Sequence, residues 1–388
     1  MKKIMDEFVI NAASPAIVTN QGLEQAVSFF SEQTCRHLLV LADPYMVQIG
    51  LADALKKLAG TKLSVTLFSD FQGEPKIGST QKAVDLARAA GADAVLGIGG
   101  GSALDMAKIV KTCLNGGQDV SHYLMQANPL PENRDVLCVV IPTTAGTGSE
   151  ASGTNIITLE NGHKGWVWGP QTKPDLVILD PGLTVSLPPD LTAWTGMDAL
   201  VHAFEAATNH YTHPGAQLYA HEALRICRTS LPLAVQVPES LSVRRDMLLA
   251  SYYAGRAIDM VSCSIAHALS HALASLGPIH HGLATALGFE ASLPFVVAAD
   301  TNNMRSAARA FGVFHLADLP DIVSGFMTEL NISRALPPAF ADKTADDLLA
   351  VLLAEEMQPM RQACHVWAEE ADLASFAATL FDLERAAA

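Results

Sequence analysis

The first half of this 388-residue chain alternates between two periodicities, and that alternation restricts the possible fold more than any other feature. Short β-branched runs are separated by stretches in which apolar residues recur at helical spacing. Strands that alternate with helices of this length are typical of βαβ units, in which helices cover both faces of a mostly parallel sheet. The extended runs are His37–Asp43, Leu63–Asp70, Ala94–Gly100, Val136–Thr143 and Pro174–Asp180, and the helical patterns are Met46–Ala59, Gly78–Ala90 and Ser102–Leu114.

After about Pro189 the pattern changes, because the β-branched runs disappear and Ala, Leu and His recur at helical spacing to the end of the chain. We therefore expect an α/β dinucleotide-binding domain with a Rossmann-like parallel sheet over residues 1–185. An all-α metal-binding and substrate domain is expected over residues 186–388. A cleft between two such halves is a common place for an active site.

The charge balance limits the partners. Lys and Arg number 25 and Asp and Glu number 40, which gives a net charge of −15 without a basic block. Nucleic acid and anionic membrane surfaces are therefore poor partners. The six cysteines are widely spaced and form no Cys-x-x-Cys pair, and the N-terminus lacks the apolar core of a signal peptide. These features predict a cytoplasmic protein with reduced thiols.

One stretch has the length of a membrane span. Residues 260–289 contain no Asp, Glu, Lys or Arg, and a bilayer requires about 20 apolar residues. The same stretch carries four histidines and several serines, and imidazoles are costly at bilayer depth. We interpret it as a buried helix and loop of a soluble protein, which leaves open why four histidines are buried together.

A glycine cluster, residues 97–102, ends one predicted strand and begins a predicted helix. Glycines let backbone amides approach a ligand closely, and the N-terminus of a helix attracts a pyrophosphate. The cluster is not a P-loop, because Lys108 comes too late in the sequence. A tight turn without a ligand remains the alternative.

A second loop, residues 142–150, is rich in threonine and glycine and also follows a strand. Ligands of open parallel sheets bind at the carboxyl ends of the strands, so two such loops are more informative than one. Asp43 ends the first strand, where its carboxylate would accept hydrogen bonds from ribose hydroxyls and repel a 2′-phosphate. A turn-forming role for Asp43 before Pro44 is equally consistent with the sequence.

Residue types that bind metals occur in the helical half, within largely apolar stretches. Three imidazoles and one carboxylate suit Zn²⁺ or Fe²⁺. Spacing alone leaves open which three of the five histidines bind. The candidates are Asp198 and His202, four residues apart, then His267 and His271 at the same spacing, and His280 with His281.

Four motifs occur in an order that resembles the iron-containing (group III) alcohol dehydrogenases. The resemblance runs from about Val9 to at least Pro294. The motifs are GGGSALDMAK at residues 99–108, PTTAGTGSE at residues 142–150, TGMDALVHAFE at residues 195–205, and His267-x3-His271-x9-His281.

This resemblance implies reversible hydride transfer between NAD(H) and a small primary alcohol or aldehyde, by a subunit that forms a homodimer or a larger oligomer. It implies one bound Fe²⁺, or in some members Zn²⁺, and it assigns a proton relay near the reacting oxygen to His271. The implied metal ligands are Asp198, His202, His267 and His281, and the implied cofactor contacts are Asp43, Gly99, Gly100, Gly101, Ser102, Asp105, Thr143, Thr144, Thr147 and Lys164.

The chain departs from the family pattern around the expected substrate position. Residues 260–265 read MVSCSI where many members have an Asn and a Leu-Gly pair, and His280 stands where Pro is common. The identity of the alcohol is therefore open, and His280 is either a pocket donor or a residue outside the pocket. A polyol (glycerol-type) dehydrogenase and a reductase of a functionalised small aldehyde are the alternatives.

Two further alternatives are disfavoured. A sugar-phosphate cyclase would need a basic cluster for its substrate, and residues 260–289 contain no Lys or Arg. A non-catalytic nucleotide- or metal-binding scaffold would be expected to have lost a ligand, whereas all four ligand positions are occupied.

Overall fold

The computed structural model describes residues 8–382 except residues 72, 74 and 161. These residues group into two compact units. The α/β unit comprises residues 14–187 and 238–252, and the helical unit comprises residues 8–13, 188–237 and 253–382. Neither unit is one continuous stretch of chain. The sequence-based limits at residues 185 and 186 stay a prediction about domains.

Eight strands and sixteen α-helices occur in the described part of the chain. The strands are β1 (Ala16–Val18), β2 (His37–Ala42), β3 (Ser64–Phe68), β4 (Ala94–Gly99), β5 (Leu137–Pro142), β6 (Thr154–Thr158), β7 (Lys164–Trp168) and β8 (Leu176–Leu179). The helices are α1 (Gly22–Glu32), α2 (Pro44–Gln48), α3 (Leu51–Ala59), α4 (Ile77–Ala90), α5 (Gly101–Gly116), α6 (Val120–Tyr123), α7 (Pro189–Thr208), α8 (Pro214–Gln236), α9 (Leu241–Val261), α10 (Ile265–Leu276), α11 (His281–Val297), α12 (Asn302–Ala310), α13 (Leu319–Glu329), α14 (Ala345–Leu352), α15 (Gln358–Ala363) and α16 (Glu370–Asp382).

In the α/β unit, six of the described strands form a parallel sheet in the order β1-β8-β5-β4-β2-β3. The central strands β2 and β4 are apolar and almost wholly buried, as expected for a sheet covered on both faces. Phe30 of α1 and Leu55 of α3 pack into the core cluster with Leu38, Val40 and Leu96. The predicted Rossmann-like sheet followed by a helical half is confirmed.

The register of the sheet determines where the predicted loops lie. Ala42 of β2 pairs with Ile98 of β4, and Gly99 pairs with Pro142 of β5. Because parallel strands end at the same edge, Asp43 and the two glycine-containing loops follow neighbouring strands at one edge of the sheet. This is the edge at which open α/β sheets bind their ligands.

An antiparallel hairpin, β6 with β7, was not predicted from the sequence. It follows the second glycine-containing loop directly. An isolated parallel bridge joins its Thr158 to Lys76 at the start of α4.

In the helical unit, α7 packs against α8 and α11, and α10 packs against α11. Helix α7 begins at Pro189, and Pro is suited to the first helical position because its missing N–H would have no partner there. From Thr195 to Thr208 every residue of α7 is buried. A helix that is buried all round must satisfy its polar side chains internally, and α7 carries three ionisable side chains in this stretch: Asp198, His202 and Glu205.

The charge-free run of residues 260–289 forms the end of α9, all of α10 and the first half of α11. Most of its residues are buried. In the described part of the chain, no single helix combines the length and the apolar composition needed to cross a bilayer. Helices α9 and α10 meet those two criteria only when taken together, across a bend of 98°.

Candidate metal centre and dinucleotide loops

The turn between β4 and α5 lets the chain approach a ligand closely. Gly99 has a φ of +153°, and a Cβ there would lie 2.9 Å from the Cβ of Ala103 and 3.0 Å from the Cβ of Asp43. A Cβ at Gly101 would lie 2.9 Å from the Oγ1 and Cγ2 atoms of Thr147. Both positions therefore require glycine, and the first amides of the 16-residue helix α5 remain close to the sheet edge. This geometry suits a pyrophosphate.

The second loop, residues 142–150, lies against this turn. The backbone N–H of Thr143 donates to the carbonyl of Gly99 at 2.9 Å. A Cβ on Gly100 would lie 3.7 Å from the side chain of Thr144, and Thr147 contacts Gly101 as described above. The structure thus brings Thr143, Thr144 and Thr147 next to the glycine turn, as a shared dinucleotide site would require.

Two charged residues of α5 hold this loop in place. The buried ammonium group of Lys108 donates to the carbonyls of Ser149 at 2.7 Å, Thr154 at 3.1 Å and Ser152 at 3.2 Å. The carboxylate of Asp105 accepts hydrogen bonds from the Ser149 hydroxyl and, at 3.0 Å, from the backbone N–H of Ile156. Asp105 was predicted as a cofactor contact, and its observed bonds are to the polypeptide itself.

Asp43 combines the two roles that the sequence left open. Its Oδ1 accepts the backbone N–H of Tyr45 at 2.9 Å and so caps α2. Its Cβ also lies beside Gly99, so the carboxylate belongs to the edge that carries the glycine turn. Lys164 begins β7, where burial lowers its pKa to about 8.

In the helical unit, the predicted metal ligands form one cluster. Oδ1 of Asp198 lies 3.6 Å from Nε2 of His267 and 3.6 Å from Nε2 of His281. The ring of His202 stacks on that of His267 with centroids 4.3 Å apart, and its Nδ1 lies 3.9 Å from Oδ2 of Asp198. Helix α7 therefore supplies two members, and α10 and α11 supply one each.

The electrostatics of the cluster favour a cation. Burial alone would raise the pKa of Asp198, but His202 and His281 hold it below its usual range. Burial would lower the pKa of His267, yet the carboxylates of Glu205 and Asp198 raise it to about 9. Burial lowers the pKa of His281 to about 4. The cluster thus contains an ionised carboxylate, which is stabilised by positive charge on the neighbouring imidazoles or on a bound cation.

Hydrogen bonds orient the two imidazoles on α10 and α11. Nδ1 of His267 lies 2.6 Å from Oε2 of Glu205, and Nδ1 of His281 lies 3.2 Å from the hydroxyl of Ser270. Thr285 in turn donates to Ser270 at 3.0 Å. Both Nε2 atoms are therefore directed to Asp198. Metal-binding histidines usually have their other nitrogen held in this way.

The remaining two histidines of the run differ in their surroundings. The ring of His271 lies 5.7 Å from that of His281 and is partly exposed, which places His271 next to the cluster. Nδ1 of His280 accepts the backbone N–H of Gly282 at 3.2 Å and so caps α11, and its ring lies 5.1 Å from that of Trp194. His280 therefore has a structural task at the start of α11.

Comparison with known proteins decides the family. The sequence profile of iron-containing alcohol dehydrogenases matches residues 14–181, and the profile of the Fe-containing alcohol dehydrogenase C-terminal region matches residues 192–362. Long-chain-alcohol dehydrogenase 1 of Geobacillus thermodenitrificans is 35% identical over 293 residues, which are 75% of this chain and 74% of that protein. This chain belongs to the iron-containing alcohol dehydrogenase family.

Two further proteins extend the comparison. The probable alcohol dehydrogenase EutG of Escherichia coli is 38% identical over 254 residues, which are 65% of this chain and 64% of that protein. The crystal structure of sulfoacetaldehyde reductase from Bifidobacterium kashiwanohense, in complex with NAD⁺, has the same fold, with a TM-score of 0.87 and 23% identity. It covers 97% of this chain and 99% of that protein. The predicted family, enzyme class and cofactors, NAD and iron, are confirmed.

The residues of the cluster fit the iron ion of the family. Oδ1 of Asp198 and Nε2 of His267 are buried and make no hydrogen bond within the described part of the chain. Buried polar atoms without partners are costly, and a bound cation would satisfy both. A carboxylate with three imidazoles is a donor set that suits Fe²⁺ and Zn²⁺.

Sequence reasoning assigned no role to four residues that the structure brings into or beside these sites. Glu205 had a signal, since it lies seven residues after Asp198 and so shares its helix face. Cys263 had only the departure from the family pattern as a signal. Its thiol groups with the imidazoles of His202 and His267. Lys108 and Glu150 lie in the quoted motifs, but only the fold shows that both are buried.

Proposed function

We propose that this chain catalyses reversible hydride transfer between NAD(H) and a small uncharged primary alcohol or its aldehyde. The observation that carries the proposal is the cluster of Asp198, His267 and His281, whose ligand atoms lie within 4.8 Å of one another. A carboxylate and imidazoles grouped in this way suit a divalent ion, which would act on a substrate oxygen. The absence of Lys and Arg from residues 260–289 favours an uncharged substrate over an anionic one.

The chain's own residues bind the ion and the dinucleotide, and one of them exchanges a proton with the substrate. Asp198, His202, His267 and His281 hold the ion, which when bound acts as a Lewis acid toward an alcohol or carbonyl oxygen. The glycine turn between β4 and α5 and the loop of residues 142–150, here called the threonine loop, bind the dinucleotide. In the oxidation direction, bound NAD would supply the hydride acceptor, and His271 would take the hydroxyl proton and pass it to solvent. The products are the aldehyde, NADH and one proton.

His271 suits the proton step for two reasons. Imidazole titrates near neutral pH, and the ring is close to His281 without being part of the buried cluster. We expect His271→Ala to lower kcat by about 10²–10⁴-fold, the usual contribution of general acid–base catalysis, while the metal content stays at the wild-type value. Loss of the metal in this variant would instead make His271 a ligand.

The proposal also includes a cytoplasmic location and a homodimer. The six cysteines form no disulfide, which suits a reducing compartment. Strand β1 is an edge of the sheet and exposes Ile17 and Val18, and exposed apolar edge strands favour pairing with a second copy. Sedimentation of the purified chain tests the dimer: a monomer at micromolar concentration contradicts it. Fractionation of cells that express the chain tests the location.

A substrate screen tests the reaction. The purified chain is stripped of metal, reloaded with Fe²⁺ or Zn²⁺, and assayed by NADH absorbance with short primary alcohols and aldehydes. Glycerol, 1,3-propanediol and a sulfonated aldehyde serve as the polyol and functionalised-aldehyde alternatives. We expect the highest kcat/KM with an uncharged primary alcohol or aldehyde and no turnover in Asp198→Ala. A preference for the polyol or the sulfonated aldehyde would replace the proposed substrate class.

A further inference from the structure

The cluster offers two sets of three ligand groups rather than one. Asp198, His267 and His281 form the first set, and His202, Cys263 and His267 form the second. Within each set, the ligand atoms lie within 4.8 Å of one another. We call the second set the thiol triad. His267 belongs to both sets.

Only one nitrogen of His267 is available to both sets. Its Nδ1 is engaged by Oε2 of Glu205 at 2.6 Å. Its Nε2 is buried, with the residue 1% exposed, and has no hydrogen-bond partner in the described part of the chain. A single lone pair binds a single ion. An ion that takes this nitrogen therefore belongs to one set or to the other, but not to both positions at once.

The turn that carries Cys263 is fixed on both sides. Ser262 has a φ of +114°, an uncommon conformation for a residue with a side chain, and its carbonyl accepts Nδ2 of Asn209 at 2.8 Å. On the other side, the backbone N–H of Ser264 donates to Oε2 of Glu205 at 2.7 Å. Glu205 thus holds both His267 and the turn that carries the thiol, so the sulfur and the imidazole keep their relative positions.

We propose that Cys263, with His202 and His267, forms a second position for a thiophilic divalent ion such as Zn²⁺ or Cd²⁺. Occupation of this position excludes an ion from the Asp198–His267–His281 set. On binding, the S–H bond breaks, the proton passes to buffer, and the sulfur coordinates as a thiolate. Thiolate ligands select zinc-like ions over Fe²⁺, which binds more weakly in most sites of this kind. Zn²⁺ at this position would then inhibit the iron-dependent reaction proposed above, because it would occupy Nε2 of His267.

Cobalt substitution tests the position of the ion. The full-length chain is stripped of metal and titrated with Co²⁺ alone, and the near-ultraviolet thiolate-to-cobalt charge-transfer band is recorded. Wild type is compared with Cys263→Ser and with the matched control Cys35→Ser, because Cys35 is also partly buried and belongs to the α/β unit. We expect the band in wild type and in the control and its loss in Cys263→Ser. No band in wild type, or a band retained in Cys263→Ser, overturns the proposal.

One histidine variant separates the two positions, and a second tests the thiol triad itself. His202→Ala removes a member of the thiol triad and should abolish the band. His281→Ala removes a member of the other set only and should retain it. Loss of the band in His281→Ala would mean that the thiolate joins a single common centre, which contradicts two exclusive positions. Cys263→Ser should lower the affinity for Cd²⁺ by at least about 10-fold. That is the smallest effect expected from loss of a hydrogen-bond partner of a metal ligand, and loss of a ligand should cost more.

X-ray absorption of the zinc-loaded wild type keeps the test valid if Cys263→Ser does not fold. A sulfur neighbour at about 2.3 Å from Zn²⁺ supports the proposal, whereas only nitrogen and oxygen neighbours contradict it. These readouts do not depend on turnover. If the NAD-linked reaction fails but the charge-transfer band follows Cys263, the proposed function is wrong and the thiol triad stands. If turnover is found without the band, the proposed function stands and the thiol triad is wrong.

Discussion

Oε2 of Glu205 lies 2.6 Å from Nδ1 of His267. The same carboxylate accepts the backbone N–H groups of Ser264 and Ala266, each at 2.7 Å, so it also holds the first turn of α10. Its charge raises the pKa of His267 and fixes the direction of Nε2. One buried side chain on α7 therefore connects a metal ligand with the backbone that carries it.

Removal of the Glu205 charge should weaken the metal site without removing a ligand. We expect Glu205→Gln to lower metal affinity by about 10–100-fold, since outer partners of ligating histidines have effects of this size. Competition with a chromogenic chelator measures the affinity. Glu150→Gln makes the same change at a buried carboxyl of the α/β unit and should bind metal as wild type does. Equal affinities in the two variants would show that Glu205 does not support His267.

The carboxylate of Asp43 should set the preference for NAD over NADP. Asp43→Ser keeps a side chain that can cap α2 but removes the charge that would repel a 2′-phosphate. We expect the ratio of kcat/KM with NADPH to that with NADH to rise by about tenfold, or ~1.4 kcal/mol. Asp53→Ser, at an exposed position on α3, controls for net charge. If the unaltered chain already uses both cofactors equally well, the assignment of Asp43 fails.

Lys108 should be required for the stability of the threonine loop. Its ammonium group is 0% exposed and lies 3.2 Å from Oδ1 of Asp105. Lys108→Met leaves the Asp105 carboxylate and the loop carbonyls without their cation, so we expect a loss of about 3–5 kcal/mol in the free energy of unfolding. Urea denaturation measures this loss.

The double variant Lys108→Met/Asp105→Asn removes both charges of this pair. It should recover part of the stability lost in the single variant, since no buried charge then lacks its partner. A single variant as stable as wild type would show that the loop is held by other contacts.

Glu150 should make the stability of the chain depend on pH. Burial raises its pKa from 4.5 to about 7, and the hydroxyl of Ser251 donates to its Oε1 at 3.3 Å. The folded state therefore favours the protonated carboxyl. Its stabilising contribution is complete below the unfolded pKa of 4.5 and is lost as pH rises through about 7.

Comparison with Glu150→Gln isolates this contribution. The free energy of unfolding of wild type minus that of the variant should fall by on the order of 3 kcal/mol from pH 4.5 to above pH 7, for a pKa difference of about 2.5. Denaturant titrations at several pH values measure the difference. A difference that is constant across this range, or that grows with pH, would contradict a protonated Glu150.

Sequence patterns predicted the parts of the structure that depend on local spacing. The parallel strands appear as continuous apolar runs, and the i,i+4 pair of Asp198 and His202 lies on one helix face as expected. Strand β1 escaped prediction because it has three residues and is defined by its pairing with β8. The β6–β7 hairpin escaped because its two strands, TNIIT and KGWVW, carry no strong apolar pattern of their own; α5 packs against β6, and residues 124–126 pack against β7.

The roles of Glu205 and Cys263 depend on contacts across sequence separations that no local pattern encodes. Glu205 is 62 residues from His267, and their bond exists only because α7 and α10 pack in the same unit. The thiol of Cys263 reaches His202 for the same reason. The sequence showed that residues 260–265 departed from the family pattern, but the consequence for metal selection required the geometry of the turn.

Helix α9 carries a consequence for synthesis of the protein. Its first half, up to Tyr252, completes the α/β unit, and there Arg244 donates to the carbonyl of Leu187 while Ser251 donates to Glu150. On the ribosome, the nascent α/β unit cannot close when Leu187 emerges, because residues 188–237 of the other unit must be translated before its last helix is available. Truncation after the parallel sheet would therefore yield an incomplete unit rather than an isolated cofactor domain, because residues 238–252 would be missing from it.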